Sequence, residues 1–169
     1  MGYFVNMQEV LTVLAKGPTK TSARLKIGMD ADVRVLPSES FGAALQYFTG
    51  DKYHNIKVRE LAIKKGYKLN EYGLFKGKSA DWRMVAGKTE EEVYKKLGMV
   101  WMEPELRTNS GEVEASLNDE LPKLVGYNDL KGDLQVQTDW TDGENSIKEM
   151  AEAARKVGLE YIVITDHTK

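Results

Sequence analysis

The chain has 169 residues, of which 41% are hydrophobic and 9% aromatic, so it is long enough for one sizeable domain or two small ones and has an ordinary globular composition. Its net charge of −2 excludes an overall basic field that attracts nucleic acid, and the absence of cysteine excludes disulfides, thiolate nucleophiles and zinc–cysteine sites. We expect a cytoplasmic protein without signal peptide or membrane span, because no basic start precedes an apolar segment and no run of about 18 apolar residues occurs.

The first segments predict a short helix followed by a β-hairpin. Apolar residues at helical spacing in residues 7–14 indicate an amphipathic helix that ends before Gly17. The runs 23–27 and 31–36 have the length of short strands, and residues 28–30 between them favour a turn. The sequence therefore predicts two antiparallel strands joined by this turn.

A compact segment of helices and strands is predicted next. Helical spacing over residues 38–49 predicts a helix, and its expected inward face comprises Phe41, Ala44, Leu45 and Phe48. A second helix is expected to begin at the N-cap Asp51 and to end at Gly66, and its inward face comprises Val58, Leu61 and Ala62. Two short strands are predicted to follow, over residues 67–69 and 72–75.

The middle of the chain is less regular. Residues 76–88 follow no clear period, so either a loop or a weak hairpin is expected there. Thr89 and Glu92 have the spacing of a capping box and predict a helix that ends at Gly98. Residues 101–120 show no periodicity, and we expect them to form an irregular linker.

Beyond residue 129 the sequence predicts a βαβ unit. A strand over residues 133–138 precedes a helix that begins with a capping box of Ser146 and Glu149. The continuous apolar run 161–164 indicates a second strand, parallel to the first. Because a parallel pair needs further strands and helices to cover it, we expect this unit to be part of a larger domain.

Asp30 and Asp32 are the most suggestive carboxylates, because two-residue spacing on a strand places both side chains on one face. Arg34 is expected on the same face, with Val33 and Val35 on the other. Two interpretations remain open, a site for Mg²⁺ or another hard cation and an ordinary solvated strand face. Two carboxylates rarely complete such a site by themselves.

Three other positions carry potential chemistry. Residues 16–20 place two lysines and backbone N–H groups in a turn, which suits either a phosphate or solvent. Asp166 and His167 follow a parallel strand at its carboxyl end, where α/β folds place their ligands. His54 falls in the first turn of a helix, where we expect a partly exposed histidine without function.

Six segments occur in an order typical of one protein family, at residues 13–20, 32–35, 47–50, 70–72, 104–107 and 111–114. The most recognisable is the Tyr-Phe-Thr-Gly sequence at residues 47–50. In these segments the chain resembles family X DNA polymerases, in the bacterial and archaeal branch that carries a C-terminal PHP phosphoesterase domain.

The resemblance implies an α+β fold in several parts. A β-hairpin from the end of a polymerase palm is implied at residues 1–36, and a small α/β thumb or fingers subdomain that selects the nucleotide at residues 37–107. A linker over residues 108–128 and the truncated βαβ start of a PHP (β/α) barrel over residues 129–169 complete the implied organisation.

The resemblance also implies roles in two-metal nucleotidyl transfer during gap-filling repair. Asp32 is the implied catalytic carboxylate and a ligand of Mg²⁺ or Mn²⁺. The implied contacts to the incoming nucleotide are Tyr47, Phe48, Gly50 and Asn55. The implied contacts to DNA are Lys16, Gly17, Thr19, Lys20 and Arg59. Arg34 is implied to change conformation, with Glu71 and Tyr72 as its partners.

Two departures from the family pattern change these expectations. Relatives often carry a basic or amide residue at position 30, so Asp30 is not expected to bind a metal. The usual His-x-His metal motif of the PHP domain is replaced by Gln135 and Gln137, and amides are poor ligands for transition metals. We therefore expect no ordinary nuclease activity, although Asp166 and His167 match the domain's second metal motif.

The implied partners are gapped or primer–template DNA and a deoxynucleoside triphosphate, in association with the nucleoid and without a membrane or an obligate protein partner. The family's other two palm aspartates lie on an earlier strand, so we expect this fragment to be inactive alone and to hold no metal tightly. Two alternatives stay open. One is a weak DNA- or nucleotide-binding module without catalysis, and the other is a phosphoesterase in the C-terminal unit, which the glutamine motif opposes.

Overall fold

The computed structural model describes residues 1–78 and 81–168. It divides the chain into two compact units, Met1–Leu121 and a second unit that begins at Pro122. Both units combine helices with strands, so the expected mixture of α and β structure is confirmed. None of the described helices has the length and apolar character needed to cross a bilayer, since the longest has 13 residues.

The first unit begins with helix α1 (Gly2–Val5) and an antiparallel sheet in the order β1 (Val10–Lys16), β2 (Lys20–Leu25) and β3 (Asp30–Arg34). The predicted hairpin of β2 and β3 is confirmed. The predicted helix over residues 7–14 is wrong, because Val10 pairs with Leu25 and the following residues continue along β2. The β-branched residues of β1 fit a sheet, and pairing with β2 overrides a helical spacing that extends over only two turns.

The rest of the first unit surrounds one apolar core. Its elements are α2 (Phe41–Thr49), α3 (Lys52–Lys64), β4 (Tyr67–Asn70), β5 (Gly73–Lys76), β6 (Arg83–Ala86), α4 (Glu90–Lys96) and α5 (Glu112–Asn118). Strands β4, β5 and β6 form a second antiparallel sheet, so the hairpin interpretation of residues 76–88 is confirmed. The predicted N-caps are confirmed as well, because Asp51 accepts hydrogen bonds from Tyr53 and His54, and Thr89 accepts one from Glu92.

Helix α2 buries a different face from the predicted one, and of the four residues expected inward only Ala44 is buried. Phe41 and Phe48 are 62% and 53% exposed, whereas Gly42, Ala43 and Gln46 are buried. The small residues allow α2 to approach the start of α4 closely, and a Cβ on Gly42 would lie 2.1 Å from the carbonyl carbon of Thr89. Close backbone approach, which hydrophobic spacing does not reveal, therefore decides the orientation of α2.

The expected linker over residues 101–120 is wrong in most of its length. Met102 and Val113 belong to the buried core, and α5 lies within this segment. Ser116 on α5 donates its hydroxyl hydrogen to the Val100 carbonyl at 2.6 Å. The segment has too few residues per element to show a period, and its folded structure depends on contacts with residues far away in the sequence.

The second unit contains the predicted βαβ motif. Strand β7 (Gly132–Val136), helix α6 (Ile147–Lys156) and strand β8 (Tyr161–Ile164) follow one another, and β7 and β8 are parallel. The capping box at the start of α6 is present in both directions, since Ser146 and Glu149 each accept a hydrogen bond from the other's backbone N–H.

Candidate nucleic-acid interface

Strand β3 presents its polar residues on one exposed face, as its spacing predicts. Asp30 accepts two hydrogen bonds from the Arg24 guanidinium, at 2.6 and 2.9 Å, and Asp32 lies 3.0 Å from the Lys20 ammonium. The Arg24 contact lowers the pKa of Asp30, and a hydrogen bond from Ser22 followed by one from Lys20 lowers the pKa of Asp32. Each carboxylate thus stays ionised beside its own cation on β2. Within residues 1–78 and 81–168, no three His, Asp or Glu side chains are grouped to hold a metal ion.

The turn between β1 and β2 contains the lysines expected to contact phosphate. Gly17 donates its N–H to the Lys20 carbonyl at 2.7 Å, which closes the turn, and the Thr19 carbonyl accepts from Val35 at 3.0 Å. Lys16 and Thr19 are exposed. The backbone of this turn is therefore fixed by the sheet while Lys16 extends into solvent.

Arg34 links three elements of the first unit at the end of β3. Its guanidinium lies 3.4 Å from a Glu71 carboxylate oxygen and 5.3 Å from the centre of the Phe48 ring. Tyr72 is next to Glu71 in the turn between β4 and β5, where its N–H donates to the Asn70 side chain at 2.9 Å. The structure thus brings Arg34 together with Glu71, one of its two expected partners.

The Tyr-Phe-Thr-Gly segment at residues 47–50 is fixed from below by Asn55. The Asn55 amide donates to the carbonyls of Tyr47 and Gly50, at 2.8 and 3.3 Å, and accepts from Gln46 at 3.0 Å. Asn55 is only 7% exposed. A Cβ on Gly50 would lie 2.9 Å from the Asn55 oxygen, so this close approach requires glycine. The Asn55 side chain therefore positions residues 47–50 by binding two of their backbone carbonyls.

Next to this support, two neighbouring aromatic rings lie between two cations. The Arg59 guanidinium lies 5.7 Å from the centre of the Tyr47 ring, and the Tyr47 and Phe48 rings meet edge to face with their centres 5.0 Å apart. Arg34 lies beyond Phe48. We call these four residues, Arg59, Tyr47, Phe48 and Arg34, the cation–aromatic row. Such a surface offers charge to phosphates and ring faces or edges to bases.

A buried arginine connects this surface to the core. Arg107 is 1% exposed, and its guanidinium donates to Glu90 at 2.7 Å and to the Thr49 hydroxyl. It also donates twice to the Met102 carbonyl, at 2.8 and 3.3 Å, and its own carbonyl accepts from the Asp51 N–H at 3.1 Å. Arg107 therefore joins the end of α2 and the start of α3 to the first turn of α4. Sequence reasoning assigned it only to a motif near a linker.

His54 is fully buried, so the expectation of a partly exposed histidine is wrong. Its Nδ1 lies 2.7 Å from the Glu112 carboxylate, and its Nε2 lies 3.4 Å from the Tyr94 hydroxyl. Glu112 also accepts from the backbone N–H groups of Asn109 and Ser110. Burial lowers the pKa of His54 and raises the pKa of Tyr94 to about 12. Because an ionised carboxylate can only accept, Nδ1 of the neutral ring carries the proton.

In the second unit, Asp166 and His167 follow β8 as expected, beside residues that follow β7. Asp166 accepts from the Thr138 N–H and hydroxyl, at 2.7 and 2.6 Å, and from the Thr141 hydroxyl at 2.9 Å. These bonds, led by the Thr138 hydroxyl, lower the pKa of Asp166. His167 Nε2 lies 3.1 Å from the Gln137 amide nitrogen, so this ring nitrogen faces an amide.

Comparison with known proteins identifies the family. Residues 44–108 match the family described as DNA polymerase beta thumb. Over 167 residues, or 98% of its length, the chain is 35% identical to the DNA polymerase/3'-5' exonuclease PolX of Bacillus subtilis. The chain belongs to family X of the DNA polymerases. It spans 29% of the length of the Bacillus subtilis protein.

Other relatives and solved structures agree with this family. The chain is 37% identical over 81 residues to DNA polymerase lambda of Rattus norvegicus, covering 43% of this chain and 14% of that protein. It is 39% identical over 64 residues to Repair DNA polymerase X of African swine fever virus, covering 38% and 36%. A ternary P/T complex of Leishmania infantum polymerase beta superposes with a TM-score of 0.56 and 28% identity, covering 63% of this chain and 52% of that one.

Removal of the Arg107 charge is expected to destabilise the first unit strongly. Arg107→Met leaves Glu90 buried without its cation, and such a change typically costs about 3–5 kcal/mol of unfolding free energy. Urea unfolding followed by circular dichroism measures this loss.

A double variant tests whether the buried charge causes the loss. In Arg107→Met/Glu90→Gln the buried charge is gone and the new amide oxygen can still accept from Trp101, so we expect part of the stability to return. Arg83→Met, at an exposed arginine, is the matched control. A loss below about 1 kcal/mol in the single variant, as for a surface ion pair, would contradict the role of Arg107.

The buried His54 is expected to make stability fall as the solution becomes acidic. Because its folded pKa lies below the ordinary 6.5, the unfolded chain binds the proton first, and stability present above pH 6.5 is lost as pH falls toward the folded pKa. Burial alone would raise the pKa of Glu112, but hydrogen bonds from His54 and from backbone N–H groups lower it, so this group acts in the same direction below pH 4.5.

The pKa of His54 can be measured directly by proton NMR. In His167→Gln, His54 is the only histidine of the chain, and its ring resonance is expected to titrate with a midpoint below 6.5. A midpoint above 6.5 would mean that His54 is a cation paired with Glu112, and would contradict the neutral ring.

Proposed function

We propose that this chain supplies the part of a family X DNA polymerase that contacts the template and the incoming nucleotide during gap-filling synthesis. The cation–aromatic row carries this proposal, because it is continuous, reaches the surface at Phe48 and Arg34, and is fixed to the core through Asn55 and Arg107. Two names among the similar proteins support it, a Repair DNA polymerase X and a ternary gap complex of a polymerase beta.

Within this proposal the row and its support divide into two groups. Tyr47, Phe48 and Gly50 contact the sugar and base of the nucleotide directly, Asn55 acts on the nucleotide through them, and Arg59 contacts the template. Asn55 contributes by fixing the backbone of residues 47–50, since both amide hydrogens already bind carbonyls of this segment. Lys16, Gly17, Thr19 and Lys20 contact DNA phosphates from the turn between β1 and β2.

We propose that Arg34 exchanges between partners when nucleotide binds. Its contact with Glu71 is long, at 3.4 Å, and both side chains are partly exposed, so the pair is inexpensive to break. Phe48 lies on another side of the same guanidinium, and Tyr72 is adjacent to Glu71. In this proposal Arg34 can contact the Phe48 ring, the Glu71 carboxylate or the Tyr72 phenol, and nucleotide binding changes which of them it contacts.

Asp32 is the proposed Mg²⁺ or Mn²⁺ ligand of this chain. It fits that role by chemistry, because it is exposed and ionised, and Mg²⁺ is held by one or two carboxylates together with water and phosphate oxygens. The described residues include no group of three such side chains. Asp30 accepts two hydrogen bonds from Arg24, whereas Asp32 has the single Lys20 ammonium 3.0 Å away, which a metal ion would replace. When bound, the metal would stabilise negative charge on phosphate. We propose that the chain binds DNA but does not polymerise by itself.

For the second unit, which begins at Pro122, we propose the start of a PHP domain without nuclease activity, and within the first unit we propose a boundary between palm and thumb near residue 36. The donor set does not fit a transition metal. The Nε2 of His167 lies 3.1 Å from the Gln137 amide nitrogen and 3.4 Å from an Asp142 carboxylate oxygen, and amides are poor ligands for such metals. Asp166 already accepts three hydrogen bonds from Thr138 and Thr141. The alternative function, a weak DNA- or nucleotide-binding module without catalysis, is supported by the same cation–aromatic row.

Binding of gapped duplex DNA is the expected activity, and the salt dependence of its affinity tests whether Lys16 contacts a phosphate. Fluorescence anisotropy over a range of salt concentrations gives the slope of log Kd against log salt. Lys16→Ala is expected to reduce this slope by about 0.9, the value for one phosphate contact. Lys96→Ala, an exposed lysine at the end of α4, is the matched control and is expected to leave the slope unchanged.

Two outcomes would contradict the proposed function. Absence of binding to gapped duplex at low salt would exclude the DNA interface. Template-dependent nucleotide incorporation by the chain, abolished in Asp32→Ala, would show that it assembles a complete catalytic site and would contradict the proposed role in binding alone.

A further inference from the structure

A cavity of about 530 Å³ lies beside Arg59, the residue at one end of the cation–aromatic row. Helix α3 contributes Arg59 and Ile63 to its lining, β4 contributes Tyr67 and Lys68, and the connection between β5 and β6 contributes Lys78 and Trp82. Its size falls within the range of about 300–1,000 Å³ that is typical of small-ligand sites. The cavity is therefore large enough to accept a base.

The chemistry of the cavity favours a negatively charged ligand with an aromatic part. Among the described residues that line it are three cations, Arg59, Lys68 and Lys78, and no carboxylate. Trp82 is 36% exposed, and the Lys68 ammonium lies 5.9 Å from the centre of its ring. An exposed aromatic ring next to cations is the usual arrangement for binding single-stranded nucleic acid, where a base stacks and the phosphates meet the charges.

The cavity is continuous with the proposed DNA interface through one residue. Arg59 stands against Tyr47 of the row and also lines the cavity. We propose that the cavity accepts an unpaired base of the template strand, where that strand continues beyond the nucleotide site as a single strand. This inference rests on the proposed function, from which it takes the path of the template strand. The cations and the aromatic ring of the cavity do not depend on catalysis.

A single strand suits this site better than a duplex. Bases in a duplex are stacked and paired, so their faces are not available to Trp82, whereas an unpaired base can leave the stack and enter a concave site. Lys68 and Lys78 are exposed and line the same cavity as Trp82, where they can meet the phosphates that flank the base. No base-specific contact is required, so the site is expected to tolerate any sequence.

The test compares two DNA ligands of the same duplex sequence by fluorescence anisotropy. One is a blunt duplex, and the other carries a single-stranded 5′ extension of the template strand. Trp82→Ala is expected to weaken binding of the extended duplex by at least about fivefold, the lower end for one stacked base, and to leave the blunt duplex unchanged. Trp82→Phe retains a ring and is expected to recover most of the affinity.

Matched variants separate stacking from general effects. Lys68→Gln is expected to weaken the extended duplex and to lower its salt dependence. Trp140→Ala replaces a tryptophan that is 78% exposed in the second unit, and is expected to leave the affinity for both DNA ligands unchanged. Trp82 and Lys68 are exposed, so these variants are expected to fold, and circular dichroism checks this.

Each outcome decides the inference. An equal effect of Trp82→Ala on both ligands, or an effect on neither, overturns it, and the proposed function then stands if gapped duplex still binds through Lys16. Binding of oligothymidylate that depends on Trp82, without binding of gapped duplex, supports the cavity and contradicts the proposed function. Absence of binding to every ligand at low salt overturns both.

Discussion

The buried contact between Arg107 and Glu90 is the interaction on which the first unit depends. A guanidinium that is 1% exposed is stable only if its donors find acceptors, and Arg107 finds them in Glu90, Thr49 and Met102. These acceptors belong to α2, α4 and the segment after α4, so satisfying one side chain fixes three elements relative to one another. The second buried pair, His54 with Glu112, attaches α5 to the first turn of α3. Arg107 binds Thr49 of the Tyr-Phe-Thr-Gly segment, and His54 lies in the first turn of α3, shortly after this segment.

This polar support explains how a short segment can present a defined surface. Residues 47–50 end a helix, and a helix end leaves carbonyl groups without partners in the helix itself. Asn55 supplies donors to two of these carbonyls, and Arg107 binds the Thr49 side chain, so the backbone is fixed before any ligand arrives. The cation–aromatic row can then keep its arrangement although Phe48 and Arg34 are exposed and Tyr47 and Arg59 are half-buried. Preorganisation of this kind reduces the entropy lost when DNA binds.

The sequence reveals local elements better than long-range contacts. Capping boxes and glycine stops predict α3, α4 and α6, because these signals act within a few residues. The strand β1 and the buried face of α2 are missed, since pairing with β2 and close approach to Thr89 decide them. The residues of the row and Asn55 can be found by resemblance. The support from Arg107 and Glu112 cannot, because each of them lies 58 residues from the side chain it binds in the α2–α3 region. Polar residues in an aperiodic segment give no local sign of burial.

The affinity of Arg107→Lys for gapped duplex DNA tests most directly whether buried contacts fix the DNA-binding surface. Arg107 is too deeply buried to touch DNA, and lysine keeps the charge while losing the planar fork that reaches Thr49, Glu90 and Met102 together. If these contacts position the row, the folded variant binds at least about fivefold more weakly, as expected for the loss of one or more hydrogen bonds, with an unchanged salt slope. Unchanged affinity in a folded Arg107→Lys protein would contradict this dependence.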